Sequence, residues 1–343
     1  MRLASNNSSQ SLLVGTIIVA ALVGFAFVGS QFQLDLANQT FLAVIGSLSL
    51  MLLTGYAGQI SLAHGGLLAA GAFTVGILYQ EVGAPFWITV PASALVGALL
   101  GVIFGFPSLR LRGVYLAVST LALHFIVIYL GSEYETGAGY SSGVVIDPPS
   151  VFGREILAAR TWYFILLVAA ALSLWLSFNL LRSKTGRAWR AIRVNETVAE
   201  ALGIAVSRHK VLAFVITSSM TAVAGALFGY YRGFVGSEAF SIFFAIQYAA
   251  MIIIGGMGSL VGAVLGAIFV TLLPYLIEYL LFLLPGAEGA ANTLFAANYA
   301  AFGLVMIVFL IFEPGGLVQV SRRIVARLKS HNRAAPKSSV TAT

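Results

Sequence analysis

The chain has 343 residues, of which 59% are hydrophobic and only 9% are charged, and its formal net charge is +7. Soluble domains contain about 25% charged residues, so this composition excludes a soluble fold. Backbone that crosses lipid must be helical or belong to a closed barrel, and the long, continuous apolar runs of this chain lack the alternation of barrel strands. The composition therefore predicts an all-α fold, a polytopic membrane helical bundle.

Ten apolar runs predict about ten transmembrane helices. The predicted spans are residues 11–29, 40–54, 66–80, 86–106, 114–131, 161–181, 211–231, 242–256, 261–284 and 298–313. If both termini are cytoplasmic, 16 of the 19 Lys and Arg residues fall on cytosolic segments, as the positive-inside rule requires. The sequence thus predicts a transmembrane domain over residues 1–320 and a basic, partly disordered cytosolic tail over residues 321–343.

Several chemistries are excluded by what the sequence lacks. There is no cysteine, so disulfides, thiolate catalysis and cysteine-ligated metal are ruled out. The dipeptide Gly-Lys does not occur, which excludes an ATP-binding P-loop, and the four histidines are scattered along the chain. The basic residues lie at membrane boundaries, which argues against nucleic acid as a partner. We therefore expect no catalytic site, no metal and no cofactor.

Glycine is abundant, with 36 residues, and part of it recurs at every fourth position. Small residues at this spacing form a flat stripe along a helix, which lets a neighbouring helix backbone approach closely. The pattern predicts a compact bundle of closely packed helices. The stripes consist of Gly97, Gly101 and Gly105; Gly225, Gly229 and Gly233; and Gly258, Gly262 and Gly266.

Two glycine-rich stretches follow short predicted spans in corresponding positions of the two halves. They are TGYAGQISLAHGG (54–66) and IIIGGMGSLVGAVLGA (252–267). The spans on either side of the first, 40–54 and 66–80, have about 15 residues each against the ~20 that cross the hydrocarbon core, and the second also follows a short span. Glycine-interrupted segments in matching halves indicate a transport pathway. A plain cytosolic turn, with His64 as a packing residue, is an open alternative. We predict a short broken-helix region in each half, with a translocation pathway lined by Gly55, Gly58, Gln59, Ser61, His64, Gly255, Gly256, Gly258 and Ser259.

Residues 182–210 form the large predicted cytosolic loop, and their pattern is helical. Asn195 is a good N-cap and Gly203 a good C-cap, so two short helices meeting at Asn195 are expected. Such a basic amphipathic segment can lie on a membrane surface, but Gly203 and two glutamates favour docking to a protein. The predicted apolar stripe comprises Ala188, Ala191, Ile192, Val198, Ala199, Ala201 and Leu202, and the charged face comprises Arg187, Arg190, Arg193, Glu196 and Glu200.

The carboxylates avoid the predicted spans, and eight of the twelve lie on predicted outer segments. Proton- or sodium-coupled carriers need an ionisable group near the middle of the membrane, and almost none beyond His124 is predicted there. The sequence thus indicates a translocation pathway that is driven by other proteins. Two alternatives stay open. One is a self-sufficient secondary transporter or channel for small polar solutes, and the other is a membrane-embedded enzyme, for which the outer face offers only scattered carboxylates.

Four stretches of the chain together resemble the permease subunits of bacterial branched-chain amino acid ABC importers, of the LivM type. They are TGYAGQISLAHGG, GRAWRAIRVNETVAEALGI (186–204), IIIGGMGSLVGAVLGA and FEPGGL (312–317), and the similarity extends over roughly residues 36–320. The second stretch resembles the cytosolic coupling segment of that family. The resemblance implies that residues 184–207 contact an ATPase, and that the coupling residues are Arg187, Arg190, Arg193, Asn195, Glu196, Glu200 and Gly203.

The resemblance implies a membrane permease subunit of a binding-protein-dependent ABC importer in a bacterial inner membrane. The expected partners are a second permease subunit in a heterodimer, two cytosolic ATP-binding subunits, an extracytoplasmic substrate-binding protein and the lipid bilayer. ATP hydrolysis is expected in the partner subunits. Branched-chain amino acids are the expected small-molecule substrate, while other amino acids, urea or short amides, and small carboxylates stay open.

Overall fold

The computed structural model describes residues 20–140, 143–151, 154–282, 300, 302–308, 311, 315–319 and 323. In this part of the chain, eight helices are long and apolar enough to span a membrane, which confirms the predicted all-α membrane bundle. The first and last predicted spans lie partly outside the described residues, as does the tail from residue 321 apart from Arg323.

The helices follow one another through short connections. Helix α1 covers residues 20–28 of the described chain. It is followed by α2 (Gln31–Leu50, continued by a π-helical turn, Met51–Tyr56), α3 (His64–Val82), α4 (Phe86–Ser108), α5 (Val114–Gly137), α6 (Ala159–Arg182), α7 (Lys184–Val194), α8 (Glu196–Ala201), α9 (Val206–Arg232), a 3-10 turn (Ser237–Phe240), α10 (Ile242–Gly255), α11 (Leu260–Phe282) and α12, of which residues 302–308 are described.

Short strands join the loops at one end of the bundle, which we call the strand side. Strand β1 (Val144–Val145) pairs antiparallel with β4 (Phe234–Val235), and β2 (Ser150–Val151) pairs antiparallel with β3 (Arg154–Glu155). The first pairing ties the long α5–α6 connection to the segment after α9. Helix α6 starts on the strand side and leads to α7 and α8 at the opposite end, which we call the coupling side.

Charge is divided between the two sides. Between residues 20 and 282, nine of the twelve Lys and Arg residues lie on the coupling side, whereas most carboxylates lie on the strand side. The positive-inside rule therefore favours a cytosolic coupling side. The coupling-side residues are Arg110, Arg112, Arg182, Lys184, Arg187, Arg190, Arg193, Arg208 and Lys210, and the strand-side residues are Arg154, Arg160 and Arg232.

The predicted length of the span 40–54 is wrong, because α2 and its π-helical turn form one helix of 26 residues. A capping box starts this helix early. Ser30 Oγ accepts a hydrogen bond from the Gln33 amide, and Gln33 Oε1 accepts one from the Ser30 amide. The first turns contain polar residues, so an apolar pattern does not mark the start of the helix. One of these residues, Asn38, is nevertheless buried and donates to a carbonyl of α6. The predicted length of the span 66–80 is also wrong, because α3 has 19 residues, whereas α10, with 14 residues, is short as predicted.

The glycine stripes bring helices into close contact, as predicted. A Cβ added to Gly101 of α4 would lie 2.7 Å from the carbonyl oxygen of Phe214 in α9. Gly225 of α9 meets α3 so closely that an added Cβ would overlap the carbonyl group of Leu68. Gly266 of α11 meets the backbone of α10 in the same way. Backbone-to-backbone contact therefore positions α9 and α11 within the bundle.

We predict that Gly225→Ala destabilises the bundle, because its methyl group has no space beside the Leu68 carbonyl. Overpacking of this kind costs about 1–3 kcal/mol, which lowers the thermal unfolding midpoint of the purified protein. Gly24→Ala is the matched control, since no atom lies within 4 Å of its added Cβ, and it should not lower the midpoint. Equal midpoints for the two variants would contradict the close packing of α9 on α3.

Candidate functional site at the coupling side

Irregular backbone at the ends of α2 and α10 meets on the coupling side. A Cβ added to Gly55 would lie 3.1 Å from the amide nitrogen of Gly258, so the two segments of the chain touch where only glycine fits. Met51 Sδ accepts a hydrogen bond of 3.2 Å from the same amide, although the two residues are 207 positions apart. The two broken regions predicted separately from the sequence are thus in direct contact.

A third glycine segment joins this contact from the stretch FEPGGL, of which residues 315–317 are described. A Cβ added to Gly316 would lie 2.5 Å from the amide nitrogen of Gly256. Both glycines have positive φ, +67° and +111°, a conformation that other residues rarely adopt. We call the meeting point of Gly55, Gly58, Gly256, Gly258 and Gly316 the glycine junction.

Arg193 of α7 lies against the glycine junction. Its Nη1 donates a hydrogen bond to the carbonyl oxygen of Gly55. A Cβ added to Gly258 would lie 3.0 Å from this Nη1, and a Cβ added to Gly58 would lie 3.1 Å from Arg193 Cγ. One side chain of the predicted coupling segment therefore contacts the glycines of both broken regions, a connection that the sequence analysis did not predict.

The polar side chains predicted along the pathway stabilise irregular backbone in this conformation. Gln59 is 3% exposed, and its Nε2 donates to the carbonyl oxygen of Ala57 at 3.2 Å. Ser61 Oγ accepts a hydrogen bond from the Ala63 amide at 3.3 Å. Ser259 Oγ accepts one from an amide in the first turn of α11, also at 3.3 Å. These groups satisfy backbone donors and acceptors that the breaks leave without helical partners.

His64 belongs to a buried polar cluster at the start of α3. It is 3% exposed, and its ring centroid lies 4.8 Å from that of Tyr248 in α10. Its Nδ1 is 3.5 Å from Thr221 Oγ1 in α9, which in turn lies 2.8 Å from Ser49 Oγ in α2. The cluster therefore connects four helices just beyond the glycine junction. Gly255, in contrast, packs α10 onto α11, because an added Cβ would overlap the α11 backbone.

The coupling segment has the two helices that its sequence predicts. Asn195 separates α7 from α8, and its Oδ1 accepts a hydrogen bond from the Val198 amide at 3.1 Å, as an N-cap does. Gly203 follows α8 with a φ of +82°. Arg187 and Arg190 donate to carbonyl oxygens at the end of α6 at 2.8 and 3.0 Å, so they fix α7 to the helix before it.

Glu196 attaches α8 to the start of α9 and to the connection between α4 and α5. It forms salt bridges with Lys210 at 2.6 Å and with Arg112 at 2.7 Å. Lys210 is 3% exposed and also donates to the Ser108 carbonyl oxygen at 3.2 Å. Partners so far apart in sequence carry no local signal, so neither cation could be predicted as a partner of Glu196. Glu200 is exposed.

The predicted apolar stripe of the coupling segment is only partly correct. Its members Ala188, Ile192 and Ala199 are buried against the bundle. Val198 and Leu202 instead point outward and are 55% and 74% exposed; the nearby Val194 is 86% exposed. Those three residues form what we call the exposed apolar patch. They lie outside the spanning helices, on the segment that contains α7 and α8.

The family model described as "Branched-chain amino acid transport system / permease component" matches residues 32–312. The chain belongs to this family. The high-affinity branched-chain amino acid transport system permease protein LivM of Escherichia coli is 32% identical, over 95% of the chain and 78% of that protein. Its namesake in Salmonella typhimurium is 31% identical over 91% and 76%. The autoinducer 2 import system permease protein LsrC of an Enterobacter species is 28% identical over 74% and 77%. No solved structure matches the chain significantly.

Membership of this permease family and the eight apolar helices make the chain a multi-pass membrane permease, which confirms the interpretation of the sequence at this level. A permease component works within a transport system. Its family therefore implies, in general, that it works with ATPase and substrate-binding partners. The relatives named above are transport permeases.

We predict that Gly58→Ala impairs transport by this permease. The added methyl group would come within 3.1 Å of Arg193 Cγ and push that side chain away from the glycine junction. We expect uptake, normalised to the amount of protein in the membrane, to fall roughly tenfold, equivalent to about 1.4 kcal/mol in the barrier.

Gly83→Ala is the matched control for this variant. Its φ of +63° is close to the +70° of Gly58, so both variants carry the same left-handed strain, but no atom lies within 4 Å of the Cβ added at Gly83. We expect Gly83→Ala to retain transport. Equal uptake by the two variants would contradict a role for the contact between Gly58 and Arg193.

Proposed function

We propose that this permease and a second, related permease subunit form the translocation pathway of an ATP-driven importer for branched-chain amino acids. Two cytosolic ATP-binding subunits hydrolyse ATP, and an extracytoplasmic binding protein delivers the substrate. The proposal places the chain in a bacterial inner membrane with both termini cytoplasmic. Residues 1–320 are its permease domain, and residues 321–343 are a basic tail on the cytosolic side.

The observation that carries this proposal is the position of Arg193. Its backbone belongs to α7, in the segment proposed to dock on an ATPase. Its guanidinium donates to Gly55 and lies against Gly258, so one side chain connects the coupling segment to both broken regions. A rotation of α7 would then pull on both breaks together. The positive-φ glycines would act as hinges, because they change conformation at little steric cost.

The proposed pathway passes the glycine junction near its cytosolic end. Met51 and Gly55 are buried where the two broken regions touch. Residues 54–66 and 252–260 would separate when the spanning helices rock, which opens the pathway to the cytosol. In this mechanism, Gln59, Ser61 and Ser259 hold the irregular backbone, and His64 anchors the start of α3 while the junction moves.

The exposed apolar patch supports docking of an ATP-binding subunit at residues 184–207. Val194, Val198 and Leu202 project from the coupling side, and burial of three such side chains by a partner would be favourable. The salt bridges of Glu196 fix α8 to the start of α9 and to the connection between α4 and α5. Force applied at the patch would therefore reach the spanning helices, while Arg193 carries it to the glycine junction.

Branched-chain amino acids are the proposed substrate because two relatives above 30% identity, the LivM proteins named above, carry that substrate in their names. The autoinducer 2 permease is less similar, at 28% identity. In this proposal the binding protein sets much of the selectivity, so the permease needs only a weak site. Weak, transient binding of a small amino acid as it passes through the permease is sufficient for transport.

Affinity purification of this chain from its native membranes tests the proposal. We expect two ATP-binding subunits and a second permease to co-purify, and the reconstituted complex to take up leucine only with ATP and the binding protein. Leu202→Arg should abolish recovery of the ATP-binding subunits, because it places a charge in the exposed apolar patch. Val82→Arg is the control, since Val82 is 72% exposed on the strand side and should retain them.

Two results would contradict the proposal in different ways. Recovery of the chain alone, with leucine uptake into vesicles that lack ATP, would favour a self-sufficient carrier. Recovery of the ATP-binding subunits with Leu202→Arg as efficiently as with Val82→Arg would leave the importer in place and contradict docking at the exposed apolar patch.

A further inference from the structure

Two adjoining cavities open on the strand side of the bundle. The first, which we call the vestibule, has a volume of about 540 Å³, and its lining includes Asp35 and Asp147. The second, which we call the inner cavity, has a volume of about 530 Å³ and lies between α2, α9, α10 and α11. Arg232 and Gln39 line both. These two residues therefore stand at the boundary between the vestibule and the inner cavity.

Arg232 is placed to bind an anion. It is the last residue of α9, and Gly233 ends the helix with a φ of +73°. The Arg232 guanidinium lies 5.7 Å from the ring centroid of Phe228, which also lines the inner cavity. No carboxylate in the described part of the chain forms a salt bridge with it. A guanidinium without a salt-bridge partner can bind the carboxylate of a ligand through two parallel hydrogen bonds.

The vestibule supplies the opposite charge. Asp35 Oδ1 accepts a hydrogen bond from the Tyr231 hydroxyl at 3.0 Å, and Asp147 Oδ2 accepts one from the Tyr79 hydroxyl at 2.6 Å. The tyrosines orient these carboxylates without neutralising them. Within the described residues, neither carboxylate forms a salt bridge. The vestibule thus presents negative charge next to the positive charge of Arg232.

The inner cavity is suited to an apolar group. Leu42, Phe228, Phe244 and Met251 are among its lining residues, and none of the described residues that line it is a carboxylate. Its lining also includes Tyr248, whose ring lies 4.8 Å from that of His64. The cavity therefore leads from Arg232 at the strand side towards the buried polar cluster beside the glycine junction.

We propose that the vestibule and the inner cavity form a transient binding site for a zwitterionic amino acid with an apolar side chain. Arg232 binds the carboxylate, Asp35 attracts the ammonium group, and the side chain enters the inner cavity. The proposal rests on the proposed function, because it takes the substrate class from it and adds the site. It also places the outer part of the pathway within this chain.

Labelling of a single cysteine tests the site directly, since the natural chain contains no cysteine. Thr271→Cys places a small thiol in the lining of the inner cavity. Val82→Cys places one on the exposed strand side as the control. The assembled complex in nanodiscs, without the binding protein, is treated with a membrane-impermeant thiosulfonate, and labelling of this chain is followed by mass spectrometry with and without leucine.

We expect leucine to slow labelling at position 271 and to leave position 82 unaffected. Arg232→Gln should raise the leucine concentration that gives half-protection by roughly tenfold or more, because it removes a charge-assisted hydrogen bond. Arg232→Lys, which retains the charge, should raise it less. Isopentylamine and 4-methylpentanoate, which lack the carboxylate and the ammonium group respectively, should each protect less well than leucine.

Labelling at position 271 that leucine does not slow would overturn the site, as would protection that is unchanged by Arg232→Gln. ATP-dependent leucine uptake by the unsubstituted complex is measured in parallel. Uptake without protection would contradict the site and leave the proposed function intact. Protection without ATP-dependent uptake would support the site and contradict the proposed function.

Discussion

Close approach of helix backbones is the constraint on which this bundle depends, because lipid supplies no hydrophobic force between helices and their association relies on packing. Gly101 and Gly225 meet this constraint within regular helices, where they seat α9 against α4 and α3. The glycine junction meets it with irregular backbone. Gly256 and Gly258 have φ angles of +111° and +92°, so the same closeness that makes the bundle compact also creates a joint at its coupling side.

Two arginines mark the ends of the proposed route. Arg193 connects the coupling segment to the glycine junction, and a planar guanidinium with five donors can hold the Gly55 carbonyl while it contacts Gly258. Such a charge-assisted hydrogen bond contributes roughly 1.5–3 kcal/mol, enough to couple two elements but small enough to break during a transport cycle. Arg232 stands at the other end, between a charged vestibule and an apolar cavity.

Local signals in the sequence predict much of the fold, and the failures have physical causes. The cap at Asn195 and the stripe containing Gly101 depend on neighbours in the same helix, so they could be predicted. The early start of α2 lacks an apolar pattern because its first turns are polar, and its one local signal is the capping box of Ser30 and Gln33. The contact between Met51 and Gly258 joins residues 207 positions apart and has no local signal. A helix of six residues, such as α8, is also too short for periodicity to show that Leu202 points outward.

In the proposed mechanism, Arg193 transmits movement of the coupling segment to the glycine junction. The distance between spin labels at Tyr115, on α5, and Met257, in the second broken region, would report this movement. Both side chains are exposed and accept a label. Pulsed electron paramagnetic resonance would record it in the assembled complex, without nucleotide and with ATP trapped. We predict a change of distance with ATP that disappears in Arg193→Ala. An equal change with and without the Arg193 side chain would contradict it.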